Sequence, residues 1–338
     1  MTTAKDLAAS LGLSVSTVGR ALADDPRISA ETKARVARAA ENTGYIANRA
    51  ARMMRGASSD VIGVVVPDIS NSFYATIAHA LSETLARNQY QLMLGETADD
   101  RTAELRQIRG FAAAQVAGAI VVPTALPTPA TVRLLQTLPH VQLLRNSAAL
   151  SQQWFGIDDE RSLRMATEHL TALGHRRIAF VGGTADLPTG AARQRGYQEA
   201  LAAEGLPIDP TLIELGPPSS VEHGRSAVAR LIDRADPPTG IVTGSVQATR
   251  GVLEALLARG VDVPDEVSVV GFGDEAGWSW WGPGLTTIAL PIRQLARTCA
   301  LWLLDRLANP AAATALAPFS SISPGVLTVR GSTSPPTL

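Results

Sequence analysis

Side chains able to do covalent chemistry are missing from useful spacings, while side chains that grip polyanions gather at one end. Cys299 is the single cysteine, so neither an internal disulfide nor a multi-thiolate metal site is expected. The five histidines are scattered, with no H-E-x-x-H or comparable spacing. Val181-Gly182-Gly183-Thr184 is not followed by Gly-Lys-Ser/Thr, and no G-x-G-x-x-G opens a helix after a strand. No nucleophile–base pair and no paired acids are evident, so neither catalysis nor a cofactor is expected. The sequence does place Arg20 beside small side chains, Val15, Ser16 and Gly19, on what reads as the open side of a short helix. A helix whose first turns project small groups and a guanidinium suits insertion into a DNA major groove.

The elements that would position these residues lie within residues 2–56. Thr3 can cap a first helix, with Asp6 as the reciprocal acid of a capping box. Leu7, Ala8 and Leu11 make one apolar face, and Gly12 stands where that helix must stop. Ser14 can cap a second helix that buries Val18, Ala21 and Leu22. Ser29 caps a third, from Ala30 to about Thr43, ended by Gly44. The pattern is a helix-turn-helix. Up to Gly56, nine basic against five acidic side chains give about +4, and the chain total of −1 leaves about −5 for the remainder. A basic arm on an acidic body suits a polyanion bound at one end.

After Gly56 the pattern becomes strand–helix alternation. Val61–Val66 reads as a buried strand, followed by a helix over Phe73–Arg87, a strand at Gln91–Gly95 and a helix over Thr102–Ala114. Strands at Ala117–Val122 and Val141–Leu144 flank a short helix at 130–138, and a loop at Asn146–Gln153 closes the round. A second round runs through helix 160–173, strand Arg177–Val181, helix 191–204, strand Thr211–Leu215 and helix 221–234. It continues through strand Gly240–Thr243, helix 247–259, strand Val267–Phe272 and a tryptophan-rich loop. Two such rounds predict an α/β fold of two Rossmann-like lobes with parallel sheets. No run approaches the length of a membrane span and no signal peptide is evident, so a cytoplasmic protein without membrane contact is expected.

The ordered set of motifs resembles the lac-repressor (LacI) family. The matching stretches are TAKDLAASLGLSVSTVGRAL (3–22), RISAETKARV (27–36), TGYIANRAARMMRG (43–56) and IGVVVPDISNSFY (62–74). ALGHRRIAFVGG (172–183), RQRGYQEAL (193–201), VPDEVSVVGFGDE (263–275) and LTTIALP (285–291) follow in the same order. The resemblance implies a three-helix headpiece over 1–46, a hinge helix and linker over 47–59, and a two-lobed effector-binding and dimerisation domain of the periplasmic-binding-protein type over 60–338. It implies lobes interleaved through three connections, with Leu285–Leu290 crossing back, helix 291–308 in one lobe and a strand near Leu327–Arg330 in the other. The tail from Ser332 has no leucine heptads, which argues against an added tetramer-forming helix.

By the family pattern, the DNA-contacting set is Thr3, Ser14, Val15, Ser16, Thr17, Arg20 and Ser29 in the headpiece, with Asn48, Ala51, Met54 and Arg55 in the hinge. Ser16 would bond a base edge and Arg20 a guanine or a phosphate, while Val15 either touches a thymine methyl or packs within the headpiece. Thr17 and the amides near Ser29 would hold phosphates. Met54 matches a leucine that wedges into the minor groove and Ala51 a small residue between paired hinge helices; ordinary helix packing is the other reading of Met53 and Met54. Ala47 replaces the usual proline.

The implied effector set is Ser70, Phe73, Tyr74, Arg145, Asp158, Arg193, Ser245, Asp274 and Trp278. Asp158 is either a ligand contact or a helix cap, and Phe73 and Tyr74 either stack on a ring or fill the lobe interface. Trp278, Trp280 and Trp281 are either a ring platform or core and dimer contacts. Gly273 and Ser245 stand where relatives carry sugar-binding polar groups, and Ser219 where they often carry an aromatic. With those groups depleted and Arg145 and Arg193 retained, an effector bearing a carboxylate or phosphate is expected.

The resemblance implies a homodimeric repressor of a pseudo-palindromic duplex operator, controlled by a carbohydrate-derived metabolite. A solute-binding protein of the periplasmic sugar-binding type shares the two-lobed body, but it predicts a signal peptide and no headpiece.

Overall fold

The computed structural model describes residues 2–22, 24–45, 59–218, 220–309 and 318–337. The hinge positions Ala47, Asn48, Ala51, Met53, Met54 and Arg55, and Ser219, lie outside the described residues. The chain divides into two compact units, residues 1–59 and 60–338.

The first unit contains α1 (Ala4–Leu11), α2 (Val15–Leu22) and α3 (Ala30–Thr43). The expected capping box forms: the Thr3 hydroxyl accepts from the Asp6 amide, and the Asp6 carboxylate accepts from the Thr3 amide. Gly12 ends α1 in the left-handed region at φ 64°, where a side chain would be strained. Leu7, Val18 and Val36, one from each helix, have no exposed surface and form the centre of the core.

In the second unit, the first lobe begins with β1 (Val61–Val66), α4 (Ser72–Arg87), β2 (Gln91–Glu96), α5 (Arg101–Ala113) and β3 (Gly118–Val121). It continues with α6 (Pro129–Gln136), β4 (His140–Leu144) and β5 (Gln153–Ile157). The second lobe holds α7 (Asp159–Ala172), β6 (Ile178–Gly183), α8 (Pro188–Ala203), β7 (Ile213–Gly216) and α9 (Val221–Ile232). Then come β8 (Gly240–Thr243), α10 (Val246–Arg259), β9 (Ser268–Phe272) and β10 (Thr286–Ala289). The chain returns to the first lobe for α11 (Ile292–Ala308) and β11 (Phe319–Ser323), and ends in the second with β12 (Val326–Thr328). Each lobe is a six-stranded sheet, ordered β11-β5-β4-β3-β1-β2 and β12-β10-β9-β8-β6-β7. All pairings are parallel except β10 with β12.

Three crossings join the lobes, at 157–159, 289–292 and 323–326. Leu285–Leu290 is therefore not itself the crossing: most of it is β10, still in the second sheet, and the chain leaves at Leu290-Pro291. The loop expected at Asn146–Gln153 gives way to β5 at its last residue, and β11 is a further strand that the polar Phe319–Ser323 stretch did not announce. Helices α7 and α8 cross at Gly196, where a Cβ would lie 2.0 Å from the Glu160 carbonyl oxygen, so only glycine permits the approach. Among the described residues no helix is long and apolar enough to cross a membrane.

The C-terminal tail is strapped to the second lobe. The Ser332 hydroxyl donates to the Val269 carbonyl and accepts from the Thr286 amide. His175 is almost fully buried, with Nδ1 2.9 Å from the Thr239 hydroxyl and Nε2 donating to the Ser334 carbonyl at 2.9 Å. Burial lowers the pKa of His175, as it does for His140, His169 and His223. Because these folded-state values lie below the ordinary imidazole value, the unfolded chain takes up protons first as pH falls. Thermal unfolding of the effector unit should therefore drop progressively from pH 7.5 to pH 5.5. The variant His175→Gln should start less stable but lose less over that interval; an equal or steeper loss would show that this imidazole does not contribute.

Candidate functional site: an open recognition helix and an inter-lobe cleft

The headpiece face is built by α2. Ser14 stops being a free hydroxyl because it caps the helix, accepting from the Thr17 amide at 3.0 Å and sharing a 2.8 Å bond with the Thr17 hydroxyl. That cap turns the first turn of α2 outward, leaving Val15 44 % exposed and Ser16 and Arg20 open to solvent. Val15 is thus not a core residue. Gly19, expected on the open side, is buried with Val18 and Ala21. The Arg20 guanidinium makes no ion pair or hydrogen bond among the described residues, unlike that of Arg27, which is tied to Asp25. Ser29 caps α3 by accepting from the Thr32 amide, and the Thr3 hydroxyl is held by Asp6.

The second site lies at the carboxyl ends of the strands, where the lobes face one another. Phe73, Tyr74 and Arg145 from the first lobe meet Asp159, Arg193, Ser245 and Phe272 from the second around a cavity of about 50 Å³. A wider cavity of about 850 Å³ adjoins it, sharing Phe73 and Val246. Phe73 packs against both lobes' cores and meets Tyr74 edge-on at 5.3 Å, so the pair fills the lobe interface as well as lining the cavity.

Arg145 is 4 % exposed. Its guanidinium engages both oxygens of Asp99 and donates to the Tyr74 hydroxyl and the Pro123 carbonyl, each at 3.4 Å. Burial opposes its charge, yet Tyr74 and Asp99 raise its pKa on balance. The backbone that delivers this pair is unusual: Leu144 sits at φ 64°, and Ala98 and Asp99 at 50° and 58°. Non-glycine residues in that region cost on the order of 1–3 kcal/mol each and collect at functional sites. Arg193 lies at the carboxyl ends of β8 and β9, in the middle of the second lobe's sheet. Its Nε and Nη2 each reach Asp159 Oδ1 at 2.7 Å, Nη1 donates to the Gly244 carbonyl at 2.7 Å, and the guanidinium stacks 4.1 Å from the Phe272 ring centre. Burial pushes the Asp159 carboxyl up, with Arg193 pulling it back in part. Ser245 caps α10 and donates to the Pro218 carbonyl at 2.9 Å.

Several expected effector residues fall elsewhere. Asp158 caps α7, accepting from the Arg161 amide, and it is the next residue, Asp159, that enters the cleft. Ser70 is turned onto Asp68, its hydroxyl 2.6 Å from that carboxylate, and its neighbour Asn71 lines the cavity instead. Asp274 is held by both terminal nitrogens of Arg330 at 2.9 Å and by Thr287, on the wall of the wider cavity. Trp278 is a core residue and Trp281 packs on the same core, whereas Trp280 is 77 % exposed; none lines the small cavity. Asp99 and Asp159 belong to the site without being among the residues that the sequence pattern points to. Asp159 lay one residue from a named position, and Asp99 carried no local signal.

Among known proteins, a family model described as bacterial regulatory proteins, lacI family, matches residues 3–48, and a periplasmic binding protein-like domain matches 167–333. The HTH-type transcriptional repressor CytR of Escherichia coli (strain K12) is 30% identical over 306 residues, covering 90% of this chain and 89% of that protein. A transcriptional regulator CelR–cellobiose complex superposes with a TM-score of 0.71 at 27% identity, over 98% of this chain and 100% of that one. The lac repressor dimer bound to operator and the anti-inducer ONPF has a TM-score of 0.82 at 24% identity, over 98% and 99%, and so shares the fold. With a headpiece presenting an open recognition helix and a body of two interleaved lobes, the chain belongs to the lacI family of bacterial regulatory proteins.

Proposed function

We propose that this chain is a sequence-specific transcriptional repressor that grips a pseudo-palindromic duplex as a homodimer and releases or tightens that grip when a small carbohydrate-like metabolite enters the cleft. The observation that carries this reading is the exposed start of α2, where Val15, Ser16 and the unpartnered Arg20 stand open on a basic headpiece. The relatives support it: one is named as a repressor, one structure holds an operator and an anti-inducer, and another holds cellobiose.

On DNA, Arg20 pairs with guanine, Ser16 bonds a base edge and Val15 meets a thymine methyl. Thr3, Ser14, Thr17 and Ser29 set the register on phosphates, and Asn48, Ala51, Met54 and Arg55 enter the minor groove. In the cleft, Phe73, Tyr74, Arg145, Asp159, Arg193 and Ser245 hold the metabolite. The metabolite shifts operator affinity only by its differential affinity for two lobe arrangements. This reading gives the chain no reaction to catalyse, and a chromosomal operator makes the cytoplasm its working compartment.

The test is gel retardation against a library of palindromic duplexes, which should select one operator class. On that operator Arg20→Ala should cost about 1–3 kcal/mol and relax selection at one base position. Undiminished selectivity in that variant, or no retardation of any duplex at low ionic strength, would reject the assignment.

A further inference from the structure

We propose that Asp99 is the charge filter of the cleft: by occupying the Arg145 guanidinium it makes the site select uncharged, hydroxyl-bearing ligands over their acids. The proposal rests on the cleft being the effector site, and it reverses the expectation that two retained arginines imply an anionic effector. An arginine recognises a carboxylate or phosphate through two parallel N–H groups. On Arg145 that fork is already closed on both Asp99 oxygens, and the remaining terminal N–H groups go to Tyr74 and Pro123. On Arg193 the Nε–Nη2 edge is closed on Asp159, and Nη1 is shared with Gly244.

The charges cancel across the lobes, Arg145 against Asp99 and Arg193 against Asp159, so an acid entering the small cavity finds both of its arginines already paired. Neutral hydroxyls find a better match. Asp159 Oδ2 takes no hydrogen bond among the described residues and can accept, while Asn71 and Thr189 line the same cavity as donors. A hydroxyl needs both kinds of partner. Phe73, Tyr74, Phe272 and Val246 supply apolar wall for a ring face.

Asp99 is singled out over Asp159 by its setting. Asp159 is buried beneath Arg193 and its removal would disturb the fold, whereas the Asp99 side chain is 28 % exposed at the end of a loop. That loop reaches Arg145 through two consecutive left-handed residues, and Arg145 follows a third, Leu144. The backbone on both sides is bent to make this one pair.

The experiment is isothermal calorimetry on the full chain at fixed ionic strength with inorganic phosphate, and with glucose and galactose against glucuronate and galacturonate. Wild type should show no phosphate binding at millimolar concentration and should bind each acid at least tenfold more weakly than any neutral partner that binds. Asp99→Asn should acquire phosphate or uronate binding, with at least a tenfold gain, and adding Arg145→Ala should abolish it. Asp99→Ser serves in its place should the asparagine variant unfold. Acid binding by wild type as tight as the neutral partner's, or no gain of anion binding in either folded variant, would overturn the proposal. A gain of anion binding with no ligand altering operator retardation would uphold the filter and sink the effector reading instead.

Discussion

Replacing Arg193 by alanine is expected to cost the effector unit about 3–5 kcal/mol and to abolish its response to any small molecule, while leaving headpiece binding to DNA at low salt intact. The size follows from what the side chain leaves behind. Asp159 is 6 % exposed, and removing the guanidinium paired with it strands a carboxylate in low dielectric. The variant also loses the bond to the Gly244 carbonyl and the stack on Phe272, both of which hold the second lobe's face of the cleft. Its pH dependence carries a further signature. The Asp159 carboxyl is already raised by burial, and without Arg193 it rises further, so the penalty is felt above that pKa and relieved as pH falls. Urea unfolding at pH 7.5 and pH 5 should therefore show a smaller gap between wild type and variant at the lower pH. A loss below about 1 kcal/mol, or one independent of pH, would mean that the pair contributes little.

Val18→Asp should remove operator binding altogether, by more than about a hundredfold, without moving the unfolding transition of the effector unit. The headpiece core is very small, with one fully buried side chain from each helix, Leu7, Val18 and Val36. A domain of this size has only a few kcal/mol in hand, and an unpaired carboxylate at its centre costs at least that much. Losing α2 loses the surface that presents Val15, Ser16 and Arg20. Gel retardation gives the first readout and circular dichroism on the full chain the second; full operator affinity in the variant would refute this account of the core.

Much of the headpiece could be read from local chemistry because its helices are signalled within a few residues of their ends. Thr3 with Asp6, Ser14 with Thr17, and Gly12 and Gly44 each act over three or four positions. The exception, Gly19, has no side chain to betray which way it faces, and only the packing of three helices buries it. In the body, the long apolar strands such as Val61–Val66 were plain, while β5 and β11 were not. Gln153–Ile157 opens on a polar residue and has only four apolar residues after it, and Phe319–Ser323 carries three serines, so neither shows an apolar run as long as that of Val61–Val66. They pair with each other because the chain returns to the first lobe after β10.

Residue order alone therefore determined the recognition helix, its caps, the alternating lobes and the membership that the ordered motifs implied. Only the folded molecule decided which polar groups share the cleft. Caps and periodicity act between neighbours in the chain. The pairing of Arg145 with Asp99 spans 46 positions and that of Arg193 with Asp159 spans 34. Such contacts are made where separate strand ends converge, and there a single residue's offset, Asp158 to Asp159, separates a helix cap from a buried ion pair.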